Sequence, residues 1–229
     1  MLDIIDPYDR YTAADFKVAA EVAIEDIRSR GKLPILVGGT GLYIDSVLYD
    51  FQFMEAADPV RREELTNKTV SELRDMHHSS AIPLPFNSQN KRHLVRSLES
   101  GGLRALDKVM RSDAMVIGIE PPRDVLLERI EKRVDEMLRS GFIEEVRHII
   151  SKYGHPPLAW DAIGYKVVVQ WLDSGDTTNT ESIRQALIVA TRQYAKRQKA
   201  WFKRNSHIHW FQDAASARAS VESTLPLRW

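Results

Sequence analysis

Long stretches of the chain place apolar residues three and four positions apart, and a few short runs between them are apolar at almost every position. Residues 12–30 carry Ala13, Phe16, Ala19, Ala20, Ala23, Ile24 and Ile27 on one stripe, which predicts an amphipathic helix, and Gly31 stands where it would end. The near-continuous apolar runs at 2–5, 33–37 (LPILV), 114–119 (AMVIGI) and 207–211 (HIHWF) predict strands buried on both faces. A helix is expected after the second run, on Leu42, Tyr43, Val47 and Leu48. Further helices are expected from Pro121-Pro122 to Ser140, over 142–152, about 161–172 and 181–204. Strand–helix–strand order of this kind predicts an α/β fold, a parallel sheet flanked by helices.

The pattern changes at about residue 58. Up to 112, helical segments at 58–76, 88–100 and 103–110 surround the stretch AIPLPFN, and no run reads as a strand. This predicts an all-helical insertion at 57–112 within an α/β core domain of 1–56 and 113–229.

Composition narrows the class. The chain has 229 residues, with 32 Lys+Arg against 32 Asp+Glu and 43% hydrophobic residues. Such a chain can fill a core, and its charge balance excludes a globally basic nucleic-acid coat, so any nucleic-acid site is a local patch. With no cysteine, disulfides, thiol nucleophiles and Cys-ligated zinc are excluded. No apolar run is long enough for a membrane helix, and MLDIIDPYDR lacks the basic start of a signal peptide, so a soluble, cytoplasmic protein is expected.

Four segments could carry chemistry. The first is VGGTGLY, 37–43, where a predicted strand turns into a helix. Gly38, Gly39 and Gly41 would let the backbone approach a ligand, and the N–H groups at the helix start would attract an anion. A tight turn with glycines needed only for its backbone angles is the plainer alternative. The second is TRQYAKRQKAWFKR, 191–204, with Arg192, Lys196, Arg197, Lys199, Lys203 and Arg204 and no acid. Arg192, Lys196, Lys199 and Lys203 share one helix face, suited to phosphates; a solvated face would more often balance its charges with Glu one turn away. The third is QNKRHLVR (89–96), a contact surface in outline, although such a charge run is more often a solvated face; the fourth, Arg129 to Arg133, reads equally as surface ion pairs with Glu131 and Asp135. No HExxH metal motif, GxSxG elbow or Walker A loop occurs in the sequence.

VGGTGLYIDSVLYDFQF, ADPVRRE, NKRHLVRSLE, RIEKRVDEMLRSGFIEEVRHI, WDAIGYK and TRQYAKRQKAWFKR occur in this order over nearly the whole chain. Together they resemble the tRNA dimethylallyltransferase (tRNA isopentenyltransferase) family. The resemblance implies a P-loop-kinase-like core and a helical insertion that grips the anticodon stem. It implies transfer of a dimethylallyl group from dimethylallyl diphosphate to N6 of the adenine next to the anticodon (position 37), in tRNAs reading codons that start with U. Thr40 would lie beside the target adenine at the mouth of the reaction channel. Arg133 would reach the diphosphate, as would Gly38, Gly39, Arg192, Lys196 and Arg197. Arg62, Arg92, His93, Arg96 and the segment with Asp161, Gly164, Tyr165 and Lys166 would contact tRNA. Mg²⁺ is the implied cofactor, and the expected partners are tRNA and dimethylallyl diphosphate, with no membrane and a monomeric protein.

The family pattern also has a first strand, a GPTxxGKT loop and an Asp-Ser segment whose Asp serves as general base, all upstream of the stretch at which this sequence opens. The 229-residue chain is therefore expected to lack that first part, with most Mg²⁺ ligands, and to be inactive alone. A tRNA-binding remnant without transferase activity is the alternative. Another P-loop enzyme, such as a small-molecule kinase, fits less well with the long insertion and TRQYAKRQ.

Overall fold

The computed structural model describes residues 4–53, 58–102, 109–154, 162–175 and 179–224. They fall into two compact units: residues up to Ile44 together with those from Ser112 onward, and Asp45–Arg111. The division falls inside a helix, earlier than the expected position 57. Ser46, Val47 and Leu48 are buried, and the Leu48 carbonyl accepts the Arg111 N–H at 2.9 Å, which closes the second unit at its base.

The first unit holds α1 (Ala13–Ser29), the start of α2 (Gly41–Leu48), β1 (Val116–Ile119), α6 (Arg123–Arg139), α7 (Phe142–Tyr153), α8 (Tyr165–Asp173), α9 (Thr180–Phe202), β2 (Ile208–Phe211) and α10 (Ala214–Thr224). α1 begins with a capping box: the Thr12 hydroxyl accepts the Asp15 N–H while the Asp15 carboxylate accepts the Thr12 N–H. It ends as its sequence predicts. Gly31, at φ +69°, donates to the Arg28 carbonyl and Lys32 donates to that of Ile27, the paired bonds of a Schellman cap. The core gathers Ile130 and Val134 of α6, Phe142 and Val146 of α7, Val168 and Val169 of α8, and Ile183, Leu187 and Ile188 of α9.

Among the described residues the sheet is small: β1 and β2 pair in parallel, with Val116 opposite Ile208 and Ile119 opposite Phe211. These match two of the four predicted strands. The run 33–37 is not a strand. Hydropathy supplies no hydrogen-bonding neighbour, and no described strand borders this run, so Ile35 and Val37 stay 76% and 87% exposed. Ile4 and Ile5 are likewise outside any strand, while residues 2 and 3 lie outside the described residues.

The second unit is helical: α3 (Pro59–Asn67), α4 (Val70–Ser79) and α5 (Lys91–Glu99) follow the end of α2. Leu65, Leu73, Leu94, Val95 and Leu98 form its core. The predicted helix over 58–76 is two helices. Thr69 breaks it by capping α4, its hydroxyl accepting the Glu72 N–H and the Glu72 carboxylate accepting the Thr69 N–H at 2.7 Å. The helix expected over 103–110 falls almost wholly outside the described residues.

Candidate functional site

The glycine turn is built against α9. The Thr40 carbonyl accepts the N–H groups of Tyr43 and Ile44 at 3.0 and 3.2 Å, which starts α2 and leaves the Thr40 side chain exposed. Gln198 of α9 donates its Nε2 to the Gly39 carbonyl at 3.2 Å. A Cβ added at Gly39 would fall 1.8 Å from that Nε2, and one at Gly41 would fall 2.2 Å from the Trp201 indole. Close approach of the Trp201 ring therefore requires a glycine at 41, whereas at 39 the obstacle is the movable tip of Gln198. At Gly38 the nearest atom is Ile44 Cδ1 at an ordinary 3.8 Å, so its lack of a side chain leaves a way open to the backbone.

α9 presents two faces to two tasks. At 100° per residue, Tyr194, Gln198 and Trp201 point toward the glycine turn, whereas Arg192, Lys196, Lys199 and Lys203 lie roughly half a turn away. The predicted basic stripe exists, but it is not the surface that meets the glycines. Two of its four cations are engaged. Glu120, just after β1, binds Lys199 and lies 3.9 Å from the Lys203 ammonium. The hydrogen bond from Lys199, with the charges of both lysines, holds the Glu120 carboxyl below its ordinary pKa. Arg192 and Lys196 are exposed. Arg197, also exposed, flanks the Tyr194 side, its guanidinium 5.8 Å from the Tyr194 ring centre.

Arg133 is exposed on α6, which packs against α9. Glu120 meets Lys199 at one end of the pair and Asp135 meets Arg184 at the other, so the helices run antiparallel. The Arg184 fork donates to both Asp135 oxygens at 2.6 and 3.1 Å, and it holds that carboxyl below its ordinary pKa. This register sets Arg133 about 9 Å along the axis from Arg192 and about 15 Å from Lys196, at 1.5 Å per residue. Along the axes Arg133 is thus nearer in level to Arg192 than to Lys196.

Of the 161–166 segment, Asp161 lies outside the described residues. Gly164, at φ +89°, is buried: a Cβ there would press on Leu187 and Phe142 at 3.2 Å. Tyr165 stacks edge-on against Phe142 at 5.0 Å and donates to the Glu145 carboxylate. Burial and that bond push its hydroxyl up to about 12. Lys166 is exposed. The segment's glycine and tyrosine serve the core, and its lysine faces solvent.

In the helical unit Arg62 of α3 donates through Nε and Nη2, each at 2.7 Å, to the two oxygens of Glu99 on α5. Glu99 is 7% exposed and Arg62 36%, so this fork ties the two helices together. Arg92, His93 and Arg96 are exposed on α5, whose first turn holds no acid and is capped by the Asn90 side chain on the Arg92 N–H at 3.0 Å.

The sequence model of the IPP transferase family matches residues 1–205. The tRNA dimethylallyltransferase of Bacillus subtilis is 37% identical over 227 residues, covering 92% of this chain and 72% of its own. This chain belongs to the IPP transferase family. It is an enzyme of the tRNA dimethylallyltransferase type. Among solved structures, the full-length tRNA isopentenylpyrophosphate transferase of Bacillus halodurans superposes with a TM-score of 0.68 at 32% identity, over 96% of this chain and 75% of that one. A eukaryotic dimethylallyltransferase acting on tRNA reaches a TM-score of 0.73 at 23% identity, a likeness of fold.

Among the described residues no three His, Asp or Glu side chains are grouped so that they could hold a metal ion. Three partnerships have no signature in the sequence. Glu120 is the acid that balances the basic stripe, but it comes from a strand end rather than from one turn along the helix. Asp135 likewise takes Arg184 from another helix. His77 of α4 is fully buried, with Nδ1 and Nε2 each 3.2 Å from a carbonyl oxygen, those of Ile82 and Leu94. A doubled histidine at the end of a helix gives no signal that one ring is inside.

Proposed function

We propose that this transferase moves a dimethylallyl group from dimethylallyl diphosphate to N6 of the adenine at position 37 of tRNAs that read codons starting with U. The allylic C–O bond breaks, the diphosphate leaves with the electron pair, a C–N6 bond forms and N6 loses a proton. The family match across residues 1–205 carries this reading. The relatives named tRNA dimethylallyltransferase, and a fold neighbour described as acting on tRNA, support it.

Within that reaction, negative charge grows on the leaving diphosphate, and the exposed Arg133 and Arg192 supply cations to stabilise it. Thr40, exposed at the start of α2, is positioned to hold the flipped adenine, and the backbone left open at Gly38 permits close approach. Arg92, His93 and Arg96 of the helical unit, Lys166, Lys196 and Arg197 supply phosphate contacts to the RNA. Arg62 acts mainly by holding α5 in place through Glu99. The protein works in the cytoplasm as a monomer.

The 229 residues contain no GxxxxGK[ST] loop, and the glycine turn is followed by Leu42 and Tyr43 rather than by the Lys and hydroxyl that such a loop sets beside its N–H groups. We infer that this chain by itself binds tRNA and leaves the transfer step slow. The test is incubation with labelled dimethylallyl diphosphate, Mg²⁺ and an anticodon stem-loop, with binding and label transfer measured separately. Tight, salt-sensitive binding with less than one transfer per protein supports the reading. Repeated turnover overturns the inference of a slow step, and absence of RNA binding overturns the reading as a whole.

A further inference from the structure

Phe86 is the most exposed large apolar residue described in the protein, at 106% of its reference area. Burying a phenylalanine ring is favourable, and Phe86 forgoes this. Nor does the side chain ride on a floppy arm. The loop that bears it is tied down on both sides. Ala81 and Ile82 donate to the His78 and His77 carbonyls at 3.3 and 3.0 Å. The His77 ring, buried, spans from the Ile82 carbonyl to that of Leu94 on α5; a neutral ring donates to one of them and an imidazolium to both. The Ser97 hydroxyl donates to the Pro83 carbonyl at 3.4 Å, and Pro83 and Pro85 stiffen the approach to Phe86. Beyond it, Asn90 donates to the Asn87 carbonyl at 3.2 Å, and this turn leads directly into α5.

The charge around the loop has one sign. Between Asp75 and Glu99 the chain contains no acidic residue, and α5 exposes Arg92, His93 and Arg96. Glu99, the first acid after Asp75, is occupied by Arg62. A rigidly presented aromatic ring beside cations is the combination that holds an unpaired nucleotide: the ring stacks on the base and the cations meet the flanking phosphates. We propose that Phe86 is a stacking platform for an unpaired nucleotide of the bound RNA, seated by the His77-anchored loop and flanked by Arg92, His93 and Arg96. This rests on the proposed tRNA binding and names a specificity-determining residue within it.

The experiment compares wild type, Phe86→Ala, Phe86→Trp and the double variant Arg92→Gln/Arg96→Gln for binding to an anticodon stem-loop and to a fully paired duplex of the same stem. Phe86→Ala is expected to weaken stem-loop binding about fivefold or more with an unchanged salt slope, and to leave duplex binding within about twofold. Phe86→Trp should retain affinity, and its added indole emission should be quenched on the stem-loop. The Arg double variant should weaken both RNAs and flatten the salt slope. Matched urea midpoints for the Phe86 variants, expected from the full exposure of that side chain, exclude a folding effect. Stem-loop binding within twofold of wild type for Phe86→Ala, or an equal loss on duplex, overturns the proposal while leaving tRNA binding standing. Failure of wild type to bind either RNA sinks tRNA binding itself.

Discussion

Gln198 holds the Gly39 carbonyl from α9, across 159 positions of sequence, by an N–H···O bond of 3.2 Å. The glycine turn and the far end of the chain are thus one structural object. Three neighbouring glycines should respond differently to the same added methyl group. Gly41→Ala meets the fixed Trp201 ring and should cost about 1–3 kcal/mol. Gly39→Ala meets a side-chain tip that can swing away, losing one hydrogen bond of about 1 kcal/mol. Gly38→Ala should be near neutral for stability. Urea midpoints in the order Gly38→Ala, Gly39→Ala, Gly41→Ala, falling, check this; a Gly38→Ala as damaging as Gly41→Ala would contradict it.

Glu120 restrains half of the basic stripe. Glu120→Gln should free Lys199 and Lys203 and increase both RNA affinity and its salt slope. Neutralising Lys196 should reduce the slope by roughly one unit for each phosphate that the protein no longer neutralises. Neutralising Lys199 should matter less in wild type than in the Glu120→Gln background. Filter binding over a salt series reads all of these, and equal effects of Lys199→Gln in both backgrounds would show that the ion pair is idle.

Arg62 and Glu99 should behave as a unit in stability measurements. Arg62→Met strands a nearly buried carboxylate and should cost about 1–3 kcal/mol, the lower end being favoured because Arg62 is itself over a third exposed. Adding Glu99→Leu should recover part of the loss, since the orphaned charge goes with it. If Arg62→Met changed RNA binding with no change in urea midpoint, the fork would be incidental to the fold.

Tyr165 gives a signature in alkali. Its folded pKa, raised to about 12, exceeds the ordinary value near 10, so the folded state favours the neutral hydroxyl. The stability this group contributes is complete below pH 10 and disappears as pH rises from about 10 to about 12. Tyr165→Phe should show a shallower decline in stability across that window, and its ultraviolet titration should lose one late-ionising phenol relative to wild type. Identical decline in the two proteins would refute the assignment.

Helices bounded by local chemistry were legible from the residues alone. The Thr12–Asp15 box and Gly31 both stand within a turn of the α1 ends they define. The box of Thr69 and Glu72 went unread, and one helix was expected over 58–76 where that cap makes two. Non-local partners were not legible. The strand at 33–37 was expected from hydropathy, which says nothing of a neighbour to pair with. For the candidate site, the glycine turn and the basic stripe were both visible, and their placement on opposite faces of α9 was not. Spacing within α9 separates the faces, but only the neighbours Gly39, Gly41 and Glu120 reveal what each face receives.

That two-faced helix has a genetic consequence. Changes at Tyr194, Gln198 and Trp201 disturb a packed junction, so in cells they should lower the amount of protein, through proteolysis of the loosened chain. Changes at Arg192, Lys196, Lys199 and Lys203 leave packing untouched and should lower the work done per molecule at constant abundance. A saturation library over residues 190–204, scored once for abundance and once for RNA capture, should therefore show two interleaved helical periodicities about half a turn out of phase. Silencing alleles of one helix would then divide into two kinds, those rescued by overexpression and those that are not.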